Sequence, residues 1–428
     1  MQDAKTRGAL LFLGDYYGTL AAARCLGARG IDVALADSSR FVRTAASRHV
    51  RHFIKAPPLA DATAFLDWLL EEGKRGGEAA GRVLYPASDE LVFLFAQHRE
   101  ELGRYFSLYL PPFESIYRIL NKQRLSEACV RTGVSVPTTW FPRGEDELRA
   151  LVAGIDVEVI LKPKTQIQLR SGAKAAEIPK GGDLVESFRT FVKENPYGPE
   201  LTAHDPDVVW PMVQAYHRKA AFGIYSLAGF SDGSGKLPLV RASRKVLQRP
   251  RKLGIGLCFE GTEVLPSLRE HVGALCKDLG YHGMFEIEFI EHDGDFLLID
   301  FNPRGYSQMA FEVSRGLPLP YLHYLGATGQ EDELRHEWER ADAWKADGDY
   351  VYCHELLLGI VMAGQAVNEK LGRERSEHWE TWARDHRPRL TDAVRAKGDA
   401  LPRVVDAAKH VRELIRHPRS FVKSFTRG

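Results

Sequence analysis

Apolar and polar positions change their period several times along this chain, and each change marks an element. Residues 8–13 are an unbroken apolar run, Gly-Ala-Leu-Leu-Phe-Leu, which predicts a buried strand. A helical pattern follows Gly14-Asp15-Tyr16-Tyr17-Gly18 and runs to about Ala28; Gly30 ends it, and residues 31–36 form the next strand. This βαβ beginning predicts a parallel sheet with helices on its faces. Val83-Leu84-Tyr85 reads as another strand, leading through Pro86-Ala87-Ser88-Asp89-Glu90 into a helix from Leu91. Ser88 or Asp89 suits that helix as a cap, and the loop also suits a substrate contact beyond the strand ends. After Pro111-Pro112 come helices over 114–133, stopped by Gly133. Strands are expected at 157–161, 208–215, 223–230 and 237–244, with helices at 182–194 and 266–279. Beyond about 330 the chain is charged, helical in pattern and poor in strand signals.

The most informative alternation lies in Phe285-Glu286-Ile287-Glu288-Phe289-Ile290 and Leu298-Ile299-Asp300-Phe301-Asn302-Pro303-Arg304, which flank the turn signal His292-Asp293-Gly294-Asp295. A two-residue turn at Asp293-Gly294 would set Ile287 opposite Asp300 and bury Asp300 and Asn302 among apolar side chains. A three-residue turn through Asp295 pairs Glu288 with Asp300 and Glu286 with Asn302. It also gathers Phe285, Ile287, Phe289, Leu297, Ile299 and Phe301 on one face. The three-residue turn is therefore expected, with one apolar face for the core and one acidic face. Oxygen donors of this kind suit a hard divalent cation, and a cation beside an arginine suits phosphate chemistry.

Bulk properties narrow the picture only a little. At 428 residues the chain has room for two or three domains. Its net charge of +1 offers no global argument for nucleic acid. The five cysteines lie far apart with no CxxC or zinc spacing, as expected of core thiols in a reducing cytoplasm. The N-terminus lacks the basic-then-apolar pattern of a signal peptide, and the longest apolar run, 356–364, is too short to span a bilayer. Gly14 and Gly18 lack the GxGxxG spacing of a dinucleotide fingerprint. His271, His282 and His354 have no partner spacing and read as structural or surface residues.

From about residue 8 to about 330 the chain resembles the ATP-grasp superfamily, in particular its carboxylate–amine ligase and biotin-carboxylase-like branches. The hairpin carries the resemblance, with Glu288 followed by Asp300-Phe301-Asn302-Pro303-Arg304, where relatives have an acidic residue and then an acidic-x-Asn-x-Arg run. The resemblance implies an α/β protein of α+β lobes. A Rossmann-like pre-ATP-grasp domain would cover 1–112. An ATP-grasp domain would cover 113–330, with its small lobe at about 157–216, and a helical extension 331–428. It implies that Glu288, Asp300 and Asn302 hold Mg²⁺, with Mn²⁺ an alternative, on the phosphates of ATP. Arg304 would act on the transferring phosphoryl group or the tetrahedral intermediate. Relatives usually carry glutamate at the place of Asp300. Lys122 and Lys162 match phosphate-binding lysines, with Lys164 and Lys174 as weaker candidates. The 166–174 segment, with Ser171-Gly172, stands where relatives have a phosphate-covering loop. Gln214, Ala215 and Tyr216 match the hinge that reads adenine, where relatives commonly have glutamate. Arg244, in the basic stretch 241–254, is expected at the substrate or phosphate.

The activity so implied is ATP-dependent amide formation between a small-molecule carboxylate and an amine in the cytoplasm, through an acyl phosphate, with no protein nucleophile. Activation of bicarbonate by a carboxylase or carbamoyl-type enzyme, and a non-catalytic nucleotide-binding regulator, remain open. Residues 403–428 carry a charge of +5, with Val404, Val411, Ile415, Phe421 and Phe425 as apolar anchors. Such a stretch fits an anionic membrane surface, or packing on its own protein or on a second copy in a homodimer.

Overall fold

The computed structural model describes residues 8–421 except 170, 172–174, 218–222, 250–254, 346–348 and 368–372. The first unit is a parallel sheet of β1 (Ala9–Phe12), β2 (Val33–Asp37), β3 (His52–Lys55) and β4 (Val83–Tyr85), in the order β3-β2-β1-β4. Its β1 and β4 are buried along their whole length, as expected of strands covered on both faces. Strand order reverses between β1 and β4, so the loops after them open onto a crevice beyond their C-terminal ends. Those loops carry Tyr16 and Ser88-Asp89. Gly18, second residue of the helix Tyr17–Gly27 after β1, has no room for a side chain: a Cβ there would stand 2.2 Å from the carbonyl oxygen of Tyr306. Close approach of two backbones, not a dinucleotide, explains that glycine.

A small lobe follows, an antiparallel sheet of β5 (Thr139–Trp140), β6 (Val159–Lys162), β7 (Ala176–Ile178) and β8 (Met212–Ala215) in the order β5-β8-β6-β7. It packs on the helix Leu184–Glu194 through Phe188 and Phe191. The strand expected over 208–215 is shorter, because Pro206–Val209 forms a 3₁₀ turn and Pro211 lacks an N–H for the ladder.

The large sheet holds β9 (Ile224–Ser231), β10 (Leu239–Arg249), β11 (Ile255–Thr262), β12 (Gly283–His292), β13 (Asp295–Asn302), β14 (Val351–Cys353) and β15 (Leu390–Asp392), ordered β13-β12-β9-β10-β11-β14-β15. One face buries Phe285, Ile287, Phe289 and Phe301 in a core shared with Leu268, Val272 and Leu275 of the helix Pro266–Leu279. The stretch after 330 is mostly helical but also supplies β14 and β15, which extend this sheet past β11. Of the two readings open for Phe421, membrane anchor or packing on its own protein, the structure shows packing: it is buried with Trp379 and Trp382. Phe425, Lys174 and Gly172 lie outside the described residues.

The β12–β13 hairpin corrects one expectation. Its turn has two residues, not three: His292 pairs with Asp295, and both Asp293 (φ 50°) and Gly294 (φ 88°) take the positive φ of a type I′ turn. A bulge between Glu288 and Phe289 shifts the register by one residue. Above it Phe289 pairs with Leu298; below it Glu288 pairs with Asp300 and Glu286 with Asn302. The expected acidic pairs therefore stand, but Leu298 takes the place in the core assigned to Ile299. Ile299 turns to the opposite face.

Candidate active site

The acidic face of the hairpin forms one wall of a cleft of about 410 Å³ between the two lobes. Alternation along β12 and β13 delivers Glu288, Ile290, Asp300 and Asn302 to it, and the bulge adds Ile299. From β6 and β8 come Lys162, Gln214 and Ala215, followed by Tyr216 and His217. Asn121 caps the helix Lys122–Thr132 by accepting from the N–H groups of Gln123 and Arg124, which sets Lys122 at the first helical position and in the cleft. Asp89 enters from the first unit; Ser88 caps the helix behind it, with Leu91 N–H donating to its hydroxyl at 3.3 Å.

Opposite charges pair across this space. Lys122 Nζ lies 2.7 Å from Asp300 Oδ1, and Lys245 Nζ 2.5 Å from Glu288 Oε1. Arg304 spans two units: its Nε meets Asp89 Oδ1 at 2.5 Å and its Nη2 donates to Asn302 Oδ1 at 2.8 Å. Lys162 Nζ donates to Gln214 Oε1 at 3.0 Å, and Gln214 Nε2 in turn donates to Thr139 Oγ1 at 3.0 Å. Glu286 is almost fully buried behind this row. It accepts from Ser226 Oγ at 2.5 Å, from Asn302 Nδ2 at 2.7 Å and from Gln308 Nε2 at 3.1 Å.

Proton affinities follow from these neighbours. Burial pushes the Glu286 carboxyl up to about 7, helped by the charge of Glu288. Burial and the adjacent Lys122 bring the Lys162 ammonium down to about 8. For Lys122 burial also pulls downward, but Asp300 outweighs it and holds the group above its usual value. Lys245 behaves likewise beside Glu288. Burial alone would raise Asp300; Lys122, Arg304 and Lys162 hold it below the ordinary carboxylate range.

No family model matches the chain. The D-aspartate ligase of Enterococcus faecium (strain Aus0004) is 22% identical over 282 residues, 59% of this chain and 63% of that protein. The chain thus spans less than two thirds of the relative's length. The biotin carboxylase domain of Hydrogenobacter thermophilus 2-oxoglutarate carboxylase, solved with MgADP, ADP and bicarbonate, superposes with a TM-score of 0.58. It shares 17% identity, over 75% of this chain and 70% of that one. The L-amino acid ligase from Bacillus licheniformis superposes at 0.53 with 14% identity, over 76% and 75%.

This is the ATP-grasp fold. Of the residues expected at the ATP-grasp site, the cleft brings together Lys122, Lys162, Gln214, Ala215, Tyr216, Glu288, Asp300, Asn302 and Arg304. Arg244 stands outside it. Strand alternation sends Arg244 to the face of Ala242, over the Tyr225 ring and out to Glu291 Oε2 at 2.9 Å. The cation this segment gives the ATP-grasp cleft is Lys245, one residue on. Counting in twos from the apolar Ala242 would have found it. Glu286 was likewise legible, two residues before Glu288 on the same face. Lys164 is spent elsewhere, donating to the Asp207 carbonyl at 3.0 Å. In the hinge, the N–H groups of Ala215 and Tyr216 already donate to the carbonyls of Thr138 and Glu158. His217 is next along the cleft wall. Gln166 lines the cleft, while Ser171 hydrogen-bonds to Asn195.

The donors fit a hard cation. Glu288, Asp300, Asn302 and, behind them, Glu286 offer only oxygen, and the two exposed to the cleft carry charges now balanced by lysines.

Proposed function

We propose that the chain is an ATP-dependent carboxylate–amine ligase that forms an amide through an acyl phosphate, releasing ADP and phosphate. The observation that carries the reading is Arg304, whose fork joins Asn302 of the acidic hairpin to Asp89 of the first unit. The guanidinium stands where the nucleotide cleft meets the crevice at the strand-order reversal of the parallel sheet. A phosphoryl donor on one side and an acceptor on the other would meet there.

Lys122 and Lys162 are suited to the polyphosphate, as compact charges at the mouths of a helix and a strand. On nucleotide entry Lys122 and Lys245 exchange a carboxylate for phosphate oxygen. That frees Asp300 and Glu288 which, with Asn302, would hold Mg²⁺ or Mn²⁺. A cation bound there supplies neutralisation of the phosphate charge. Arg304 orients the acceptor carboxylate and then stabilises the oxyanion as the amine attacks the acyl phosphate. Asp89 and the neighbouring Glu90, on the crevice side, suit the cationic end of an amino substrate. Closure of the small lobe keeps water from the intermediate.

The likeness to a D-aspartate ligase and an L-amino acid ligase supports an amino acid as one substrate. Five buried, free cysteines support a reducing compartment such as the cytoplasm. Among the described residues no helix is long and apolar enough to cross a membrane. The test is ADP release from Mg-ATP over a panel of carboxylates and amino acids. Release that needs both a carboxylate and an amine supports the ligase. Release driven by bicarbonate without an amine would select a carboxylase, and nucleotide binding without release a regulator.

A further inference from the structure

The helix Leu401–Arg416 is built inside out. Its inward face is polar, with Asp406 and His410 buried against the first unit and the sheet. Asp406 accepts from Arg43, and its carboxylate also faces His354 Nε2 at 3.2 Å and His410 Nε2 at 3.4 Å. Lys409, on the same side, pairs with Asp15. The two histidines and Asp406 lie close enough together to raise the question of a metal. Leu357 N–H donates to His354 Nδ1 at 3.1 Å, so a neutral ring carries its proton on Nε2 and offers that nitrogen to no metal; His354 Nε2, Asp406 Oδ2 and His410 Nε2 find no hydrogen-bond partner among the described residues.

The outward face is apolar. Leu401, Val404, Ala408, Val411 and Ile415 recur at the three- and four-residue spacing of a single helical stripe. Leu401 is 65% exposed, Val404 63%, Val411 54% and Ile415 74%, so the stripe packs on nothing among the described residues. Arg412 and Arg416 border it on one side and Arg419 follows just past the helix end, all exposed and without ion-pair partners among the described residues. Of the helix's two acidic residues, Asp406 is buried, and Glu413 lies toward the inward side by helical rotation.

We propose that this stripe seats the protein on an anionic lipid surface. Charge decides among occupants. A second copy would bring the same arginines to the stripe and no acid to meet them. A nucleic acid would leave the exposed aliphatic side chains unused. A bilayer with acidic headgroups takes both at once: side chains into the acyl boundary, guanidinium groups among the phosphates. The inference is independent of the reaction proposed above, because none of these residues lines the nucleotide cleft.

Co-sedimentation of the full chain with vesicles tests it. The expected result is pelleting with phosphatidylcholine vesicles containing phosphatidylglycerol or phosphatidylserine, none with phosphatidylcholine alone, and release by salt. The double variant Arg412→Glu, Arg416→Glu should lower partitioning by at least about tenfold. Val411→Asp with Ile415→Asp should abolish it, and both variants should keep wild-type melting and nucleotide binding, since every altered side chain is exposed. Recovery of wild-type protein in the supernatant with acidic vesicles at low salt would overturn the proposal. So would equal pelleting of both variants, or a concentration-dependent dimer that the aspartate variant disrupts while vesicles bind neither protein.

Discussion

Glu288 and Asp300 stand directly across the hairpin from each other, yet each carboxylate is held by a lysine from a different part of the chain. Lys245 comes from β10, two strands along the same sheet from β12, and Lys122 from a helix start. The acidic pair is thus kept charge-balanced without a ligand, and the lysines that balance it are the groups a polyphosphate would draw away.

One consequence concerns stability. Lys245 and Glu288 are both well shielded, so Glu288→Gln leaves a buried ammonium without its partner. Loss of one member of such a pair typically costs about 3–5 kcal/mol. The double variant Glu288→Gln, Lys245→Met should recover most of that loss in a denaturant melt, while both variants lose turnover. Equal melting of the single variant and wild type would contradict the pairing.

A second separates two neighbours in sequence. Arg244→Ala should leave ADP release within about twofold of wild type, because its side chain lies on the far face with Tyr225 and Glu291. Lys245→Ala should lower it about 100-fold or more. Steady-state rates on the two variants decide it; a severe loss in Arg244→Ala would place that residue in the chemistry after all.

Acidity supplies a third. Lys162 loses its proton near pH 8, below the ordinary lysine value, because it is buried beside Lys122. Phosphate favours the charged form, so nucleotide affinity should fall as pH rises through about 8 and hold steady below it. The same depression costs folding stability below about pH 8, and that cost fades toward the ordinary lysine value. Calorimetric titration with ADP across this range should show the fall in wild type and a flat profile in Lys162→Met.

The geometry of Arg304 gives a fourth. It reaches Asp89 and Asn302 through separate nitrogens of one planar fork, which an ammonium cannot reproduce. Arg304→Lys should reduce kcat by about 100-fold while nucleotide affinity changes little. A matching loss of affinity would assign Arg304 to nucleotide binding instead.

Much of this site was legible before the structure. The alternation of Phe285, Ile287 and Phe289 with Glu286 and Glu288 set which side chains share a face, because strand periodicity is local. Lys122 was legible for a similar reason, since Asn121 is a helix-capping residue with a lysine directly after it. What escaped is non-local. How far Lys245 reaches across the sheet to Glu288 depends on how β10 lies against β9 and β9 against β12, which no single stretch of sequence shows. The strands Val351–Cys353 and Leu390–Asp392 are three residues each; the first exists because the edge of β11 is there to receive it, and the second pairs on the first. The bulge could not be read either: a two-residue turn and a three-residue pairing look incompatible until one extra residue is allowed between them.

That extra residue, Ile299, divides the hairpin into two independently phased halves. The tip obeys the demands of its Asp-Gly corner; the base keeps step with the strands beside it. Lengthening or reshaping the tip would therefore be absorbed before reaching Asp300, whereas excising Ile299 would transmit the tip's phase downward and turn the chemistry-bearing side chains into the hydrophobic interior.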